Sequence, residues 1–170
     1  QEKDIPSMFK GTLPNGVYLV TKNTLKKYVT PFLSISKIIE PDFLIVHITN
    51  KKIYVIELKD GDNFDTKKAS GEVENLDKYT KALNSKLQYP WVAEIKVCFF
   101  NQTDKEKIIA GFKGKITKKQ AMTGEEMCRL LGMSYETIQA SREIEQPLNL
   151  KFFINELVKI EELHPILKDS

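Results

Sequence analysis

The sequence predicts an α/β fold in which a mixed sheet of about four or five strands is flanked by helices, with a helical C-terminal part. Two apolar runs, Phe43 to Ile48 and Ile53 to Leu58, flank the polar turn 50–52 and predict a β-hairpin. A helical pattern follows, and the next apolar run, Val92 to Phe100, has almost no polar positions. Such a run is typical of a strand buried on both faces, at the centre of an α/β sheet.

The size and composition of the chain indicate one ordinary globular domain. Its 170 residues are 41% hydrophobic, and the formal net charge is only +3. That weak charge excludes a generally polycationic protein, so any nucleic-acid contact must come from local clusters. Cys98 and Cys128 lack metal-ligand spacing and are expected to be reduced thiols in a cytoplasmic protein without a membrane span. The chain begins with Gln1 and not Met, which leaves open a fragment of a longer protein.

Three short elements are predicted before the hairpin. Val17 to Val20 is an apolar strand candidate, and 23–28 is a short basic helix or turn. Phe32 to Ile39 alternates apolar and polar residues, which predicts another strand that leads to Pro41. Pro41 suits the start of a strand, where no ladder donor is required.

After the hairpin, a helix is expected to begin at Asp65 or Thr66 and to run to about Leu87. Residues 104–119 carry six lysines and two acidic residues and are expected to form a solvated or ligand-contacting loop. The rest of the chain is predicted to be helical, with two helices over 122–145 separated at Gly132 and a last helix over 148–163. The predicted organisation is a core over 1–120 and a helical C-terminal part of the same domain over 121–170.

Three charged residues lie at the ends of the two hairpin strands. Asp42 opens the first strand, and Glu57 and Lys59 close the second, two positions apart and therefore on one face. An antiparallel hairpin brings Asp42 near both of them. Two neighbouring carboxylates repel each other unless a cation lies between them, and Mg²⁺ is a cation that accepts carboxylates, water and phosphate oxygens. The group therefore predicts a Mg²⁺ site suited to phosphodiester hydrolysis.

The sequence Pro41-Asp42, followed after fourteen residues by Glu57-Leu58-Lys59, resembles the PD-(D/E)xK signature of the restriction-endonuclease-like nucleases. The resemblance implies that Asp42, Glu57 and the Leu58 carbonyl bind Mg²⁺, and that Lys59 is a catalytic residue that holds the attacking water or the scissile phosphate. It also implies a restriction-endonuclease-like mixed sheet. Members of the family often carry a further acidic residue on a helix before the Pro-Asp motif, and none is evident in this sequence.

Two groups of residues are candidates for contacts with DNA. Lys67 and Lys68 lie at the predicted start of a helix, where cations are poorly placed unless they meet an anion such as phosphate. Tyr135, Gln139 and Arg142 lie on the second helix of a helix-turn-helix-like segment. An ordinary helical hairpin that packs at the end of the domain explains the same pattern.

The function expected from these observations is Mg²⁺-dependent, site-specific cleavage of double-stranded DNA, in the manner of a type II restriction endonuclease. Such enzymes usually act as homodimers, because two sites then meet the two strands of a symmetric target. Two alternatives stay open at this stage. One is another nuclease of the same fold, such as a junction resolvase or a repair or transposition nuclease, and the other is a non-enzymatic helix-turn-helix DNA-binding protein.

Overall fold

Residues 13–59 and 69–143 are described by the computed structural model, and they contain a five-stranded mixed sheet. The strands follow one another across the sheet in chain order. The first two pairings are antiparallel and the last two are parallel. The strands are β1 (Val17–Thr21), β2 (Phe43–His47), β3 (Lys52–Lys59), β4 (Val92–Phe99) and β5 (Ala121–Thr123). The predicted α/β fold with a mixed sheet is confirmed.

Helices fill most of the connections between these strands. The first helical segment, α1, has three consecutive pieces, of which the middle one is π-helical. A further helix, α5, spans 135–143. The remaining bounds are Lys22–Thr24, Leu25–Val29 and Thr30–Leu33 for α1, Ala69–Lys86 for α2, Lys105–Gly111 for α3 and Gly124–Leu131 for α4.

The sheet is buried on both faces by two separate apolar clusters. Alternate residues of β3, such as Ile53 and Val55, enter the larger cluster together with Leu76, Tyr79 and Leu83 of α2. The intervening side chains enter a smaller cluster on the opposite face, made by Ile45, Ile56, Cys98, Met122 and Met127. Because side chains alternate along a strand, the residues that continue the Ile53–Val55 series lie on the same face as α2.

The chain divides into two compact units, Gln1–Gly132 and Met133–Ser170. The sheet and α1 to α4 belong to the first unit, and α5 belongs to the second. Cys98 and Cys128 are both buried as thiols, and burial raises the pKa of Cys98 to about 12. Within the described ranges, no helix combines the length and the apolar character needed to cross a bilayer.

The predicted strand over Phe32 to Ile39 is wrong. Phe32 and Leu33 end the last helical piece of α1, in which Pro31 occupies an early position. Ser34 and Lys37 then have φ angles of 56° and 54°, in the left-handed region and outside the extended conformation of a strand. The alternation of apolar residues is real, but the chain turns twice where a strand would have to stay extended.

The predicted loop over 104–119 contains the helix α3. Asp104 caps this helix, because its side chain accepts a hydrogen bond of 2.9 Å from the backbone N–H of Glu106. Two of the lysines are engaged in ion pairs within the protein, Lys105 with Glu126 at 2.6 Å and Lys118 with Glu106 at 3.1 Å. The segment is therefore partly a folded structural element.

The two predicted helices over 122–145 are confirmed in outline, with a later start. Met122 lies in β5, and Thr123 is the N-cap of α4, where it forms a reciprocal capping box with Glu126. Gly132 ends α4 with a φ of 69°, as expected of the turn residue. The predicted helix 148–163 and the predicted helix start at Asp65 or Thr66 lie outside the described residues.

Candidate active site

The hairpin formed by β2 and β3 places Asp42 opposite Glu57. The register pairs Phe43 with Ile56, so the residue before β2 meets the residue after Ile56. The backbone N–H of Asp42 donates to the carbonyl of Ile56 at 3.1 Å. Asp42 Oδ2 accepts a hydrogen bond of 2.8 Å from the backbone N–H of Leu58. The Asp42 side chain thus accepts the hydrogen bond that a backbone carbonyl would accept if β2 continued, and this bond holds the side chain beside β3.

Glu57 and Lys59 lie on the face of the sheet that α2 covers, as the predicted strand alternation requires. Lys59 Nζ is 2.9 Å from Glu57 Oε1, and the Glu57 side chain is only 17% exposed. Burial raises the pKa of Glu57, and the negative charges of Asp42 and Glu72 act in the same direction, while Lys59 opposes them. Glu57 is therefore a carboxylate in a crowded, partly desolvated site, where a further cation would be favourable.

Glu72 is part of this site, and the sequence did not single it out. Its Oε1 accepts a hydrogen bond of 2.8 Å from Lys59 Nζ. Burial disfavours the charged form of Lys59, but hydrogen bonds to Glu72 and Glu57 outweigh burial and raise its pKa. Nothing in the local sequence distinguishes Glu72 from Glu74 or Asp77 on the same helix. Only the packing of α2 against the sheet reveals it.

Lys22 completes the charged group from the other side. It follows β1 directly, and its Nζ is 3.4 Å from Asp42 Oδ1. The sequence predicts a basic segment over 23–28 and does not single out Lys22. Lys22 is brought to Asp42 by the antiparallel pairing of β1 with β2, which the local sequence does not reveal. Among the described residues, this end of the sheet therefore brings together three carboxylates and two ammonium groups.

The donor atoms at this end fit a hard divalent cation. In a strand, the N–H and C=O of one residue point to the same edge, so the Leu58 carbonyl leaves β3 on the side of Asp42. Within the described residues, no group of three or more His, Cys, Asp or Glu side chains could hold a metal ion. The oxygens that face one another here are those of the Asp42 and Glu57 carboxylates and the Leu58 carbonyl, and oxygens are the ligands that hard divalent cations prefer.

Comparison with known proteins identifies the family. No family model matches the chain, and no solved structure matches it. The chain is 43% identical over 155 residues to the type II restriction enzyme HhaII of Haemophilus parahaemolyticus, and the match covers 91% of this chain and 67% of that enzyme. The chain belongs to the type II restriction enzymes. This class consists of site-specific DNA endonucleases, so the predicted family and reaction class, phosphodiester hydrolysis, are confirmed.

Of the residues predicted to contact DNA, only those on α5 are among the described residues. Lys67 and Lys68 are outside the described residues. Tyr135, Gln139 and Arg142 lie on α5, where the Gln139 amide donates to the Tyr135 hydroxyl at 2.5 Å. Tyr135 and Gln139 are four residues apart and share one helix face. Their role in DNA contact stays a prediction.

Proposed function

We propose that this restriction enzyme cleaves double-stranded DNA with Mg²⁺ as its cofactor and with Asp42, Glu57 and the Leu58 carbonyl as the metal ligands. One observation carries the proposal. The carboxylates of Asp42 and Glu57 oppose each other at the end of the β2–β3 hairpin, and Lys59 contacts Glu57 there. An isolated pair of carboxylates would be unfavourable, whereas a divalent cation between them is stabilising.

The choice of Mg²⁺ follows from the chemistry of the ligands. All the proposed ligand atoms are oxygens, and neither a thiol nor an imidazole is among them, which disfavours zinc and copper. Mg²⁺ takes one or two carboxylates and keeps several waters, so it leaves room for a phosphate oxygen of the substrate. Bound there, it supplies a Lewis acid for the phosphate and lowers the pKa of a water.

Lys59 has the catalytic role in this proposal. Its ammonium carries three N–H donors, of which Glu57 and Glu72 accept two. The third donor orients the attacking water or a non-bridging oxygen of the scissile phosphate and offsets the charge that develops there. In-line attack of water on phosphorus then leaves a 5′-phosphate and a 3′-hydroxyl.

We also propose that Lys67 and Lys68 contact phosphates of the duplex. Further contacts with DNA are proposed for Tyr135, Gln139 and Arg142 of α5. A homodimer in the cytoplasm would bring two sites to the two strands of a symmetric target. Gly132 is the left-handed C-cap at which α4 ends, as the turn of the predicted helix-turn-helix-like segment requires.

Incubation of the protein with a large plasmid or phage DNA tests the proposal. One reaction contains Mg²⁺, and the matched one contains EDTA. We expect discrete fragments with Mg²⁺ alone, and mapping of their ends gives the target and the stagger. A smear would indicate a nuclease without sequence specificity. A band shift in both reactions without any cleavage would contradict the proposal and would leave Asp42, Glu57 and Lys59 as a structural cluster.

A further inference from the structure

We infer that Glu72 is a positioning residue that holds the Lys59 ammonium in the active site and is not itself a metal ligand. The inference rests on the proposed function and adds a residue of α2 to it. Lys59 Nζ lies between two carboxylates, 2.9 Å from Glu57 Oε1 and 2.8 Å from Glu72 Oε1. The two contacts are equal within 0.1 Å, but the carboxylates have different tasks.

Glu57 cannot hold Lys59 and a metal ion equally well. A carboxylate that coordinates Mg²⁺ gives much of its charge to the cation, which also repels the neighbouring ammonium. Glu72 is then the partner that keeps Lys59 on the site. A lysine side chain has four flexible carbons, so without such a partner its ammonium samples many positions.

The location of Glu72 suits an anchor. It lies on α2, an 18-residue helix whose buried side chains Leu76, Tyr79 and Leu83 pack in the main core. Lys59, by contrast, is the last residue of β3. A group on a packed helix defines a position more narrowly than the end of a long side chain does.

The same geometry argues against Glu72 as a metal ligand. Its Oε1 faces Lys59 Nζ, and Asp42 is held on the other side of the site by the Leu58 N–H and Lys22. Asp42, Glu57 and Glu72 are all among the described residues, and they do not form a group of three that could hold a metal ion. The ammonium group occupies the space between Glu72 and Glu57.

Three variants test the inference, namely Glu72→Ala, Glu72→Gln and the control Glu74→Ala. Glu74 lies on the same helix and is exposed, so its loss changes the charge of α2 equally. Cleavage is measured under single-turnover conditions with excess protein and saturating Mg²⁺. We expect Glu72→Ala to lower the rate by roughly 10- to 100-fold, the cost of a small misplacement of a catalytic group. Glu72→Gln keeps an acceptor oxygen and should recover part of the loss.

Two further measurements separate positioning from other roles. Mn²⁺ binding to the DNA-free protein is followed by the electron paramagnetic resonance signal of free Mn²⁺, and DNA affinity is measured by band shift. Both should stay within about twofold of the wild type in Glu72→Ala, as expected when a residue acts only on the chemical step. The midpoint of thermal unfolding should also match that of Glu74→Ala.

Each contrary result has a definite meaning. A Glu72→Ala protein that cleaves as fast as Glu74→Ala would show that the Lys59–Glu72 contact is only an ion pair, and would overturn the inference. A large loss of Mn²⁺ affinity would make Glu72 a ligand, which also overturns it. If the wild type cuts no DNA with Mg²⁺, the proposed function fails first, and the inference fails with it.

Discussion

The two ends of β3 carry the same kind of ion pair in different surroundings. At the first end, Lys52 Nζ contacts Glu94 Oε1 of β4 at 2.7 Å, with side chains that are 37% and 36% exposed. At the other end, Lys59 contacts Glu57 at 2.9 Å, and the Glu57 side chain is 17% exposed. The first pair is in contact with solvent. The second belongs to a partly buried group in which, among the described residues, carboxylates outnumber ammonium groups.

The two ends contain the same residue types and differ in the charged neighbours and the burial of those residues. The hydrogen bond to Glu94 raises the pKa of Lys52, as expected when a carboxylate stabilises a neighbouring ammonium. At the Glu57 end, burial raises the pKa of the carboxyl in spite of its ammonium partner. A charge that its own surroundings disfavour is typical of a site built for a ligand.

The largest expected effect is the loss of cleavage in Glu57→Ala. Removal of this proposed metal ligand should withdraw several kcal/mol of transition-state stabilisation, so we expect a loss of about 10³-fold or more. DNA binding should survive, because few phosphate contacts are removed. Glu94→Ala, which deletes the carboxylate at the other end of the sheet, is the control and should cleave normally. Equal losses in both variants would mean that the two ends do not differ in function.

A smaller loss is expected for Lys59→Met, which keeps the length of the side chain and removes its charge. Loss of one positioned donor for the developing charge costs about 10²- to 10³-fold in cleavage rate. Mn²⁺ binding should persist or strengthen, because Glu57 loses a competing cation. Lys52→Met is the matched control. Normal cleavage by Lys59→Met in a single-turnover assay would exclude the catalytic role of Lys59.

Stabilisation by metal should depend on pH and on Glu57. Mg²⁺ at about 100 times its Kd should raise the free energy of unfolding by about 2.7 kcal/mol, and Glu57→Gln should lose this gain. The pKa of Glu57 in the folded state lies above the ordinary value of 4.5, so the folded state binds a proton at Glu57 more tightly than the unfolded state does. Without metal, the free energy of unfolding should therefore fall as the pH rises from 4.5 through the raised pKa. Metal binds the deprotonated carboxylate, so its contribution grows over the same interval. Thermal unfolding across that range, with Mg²⁺ and with EDTA, should show the two opposite slopes.

The smallest effect is expected from Glu94→Gln. The Lys52–Glu94 pair is more than a third exposed on both sides, and such pairs contribute about 0–1 kcal/mol to stability. Chemical denaturation should therefore place this variant within about 1 kcal/mol of the wild type, with or without Mg²⁺. A larger loss, or a response to Mg²⁺ unlike that of the wild type, would remove the contrast between the two ends.

The sequence was sufficient for the part of the site that lies on one hairpin. Strand alternation places Glu57 and Lys59 on one face, and a tight turn brings Asp42 opposite them, so local rules determine all three. Local rules also gave the wrong prediction of a strand from Phe32 to Ile39. Local periodicity does not reveal the left-handed turns at Ser34 and Lys37.

The residues that the sequence did not reveal come from other elements. Glu72 reaches Lys59 only through the packing of α2, and Lys22 reaches Asp42 only through the pairing of β1 with β2. The chemistry of the site requires no fixed sequence spacing between either residue and the Glu57-Leu58-Lys59 motif. Both contacts depend on tertiary structure, and a single sequence carries no direct signal of that.

The hydrogen bond from the Leu58 N–H to Asp42 has a consequence for how such a chain can vary in length. The bond ties Asp42 to a particular rung of the ladder, while the turn over 48–51 lies beyond the last pair, His47 with Lys52. Residues inserted between Thr49 and Asn50 leave every rung of this ladder in place, so the fourteen-residue spacer can lengthen there. One residue inserted within β3, between Tyr54 and Glu57, would rotate either end of the strand by half a period and separate the acidic pair. The hairpin can therefore change in length at its turn, but not within its strands, without separating Asp42 from Glu57.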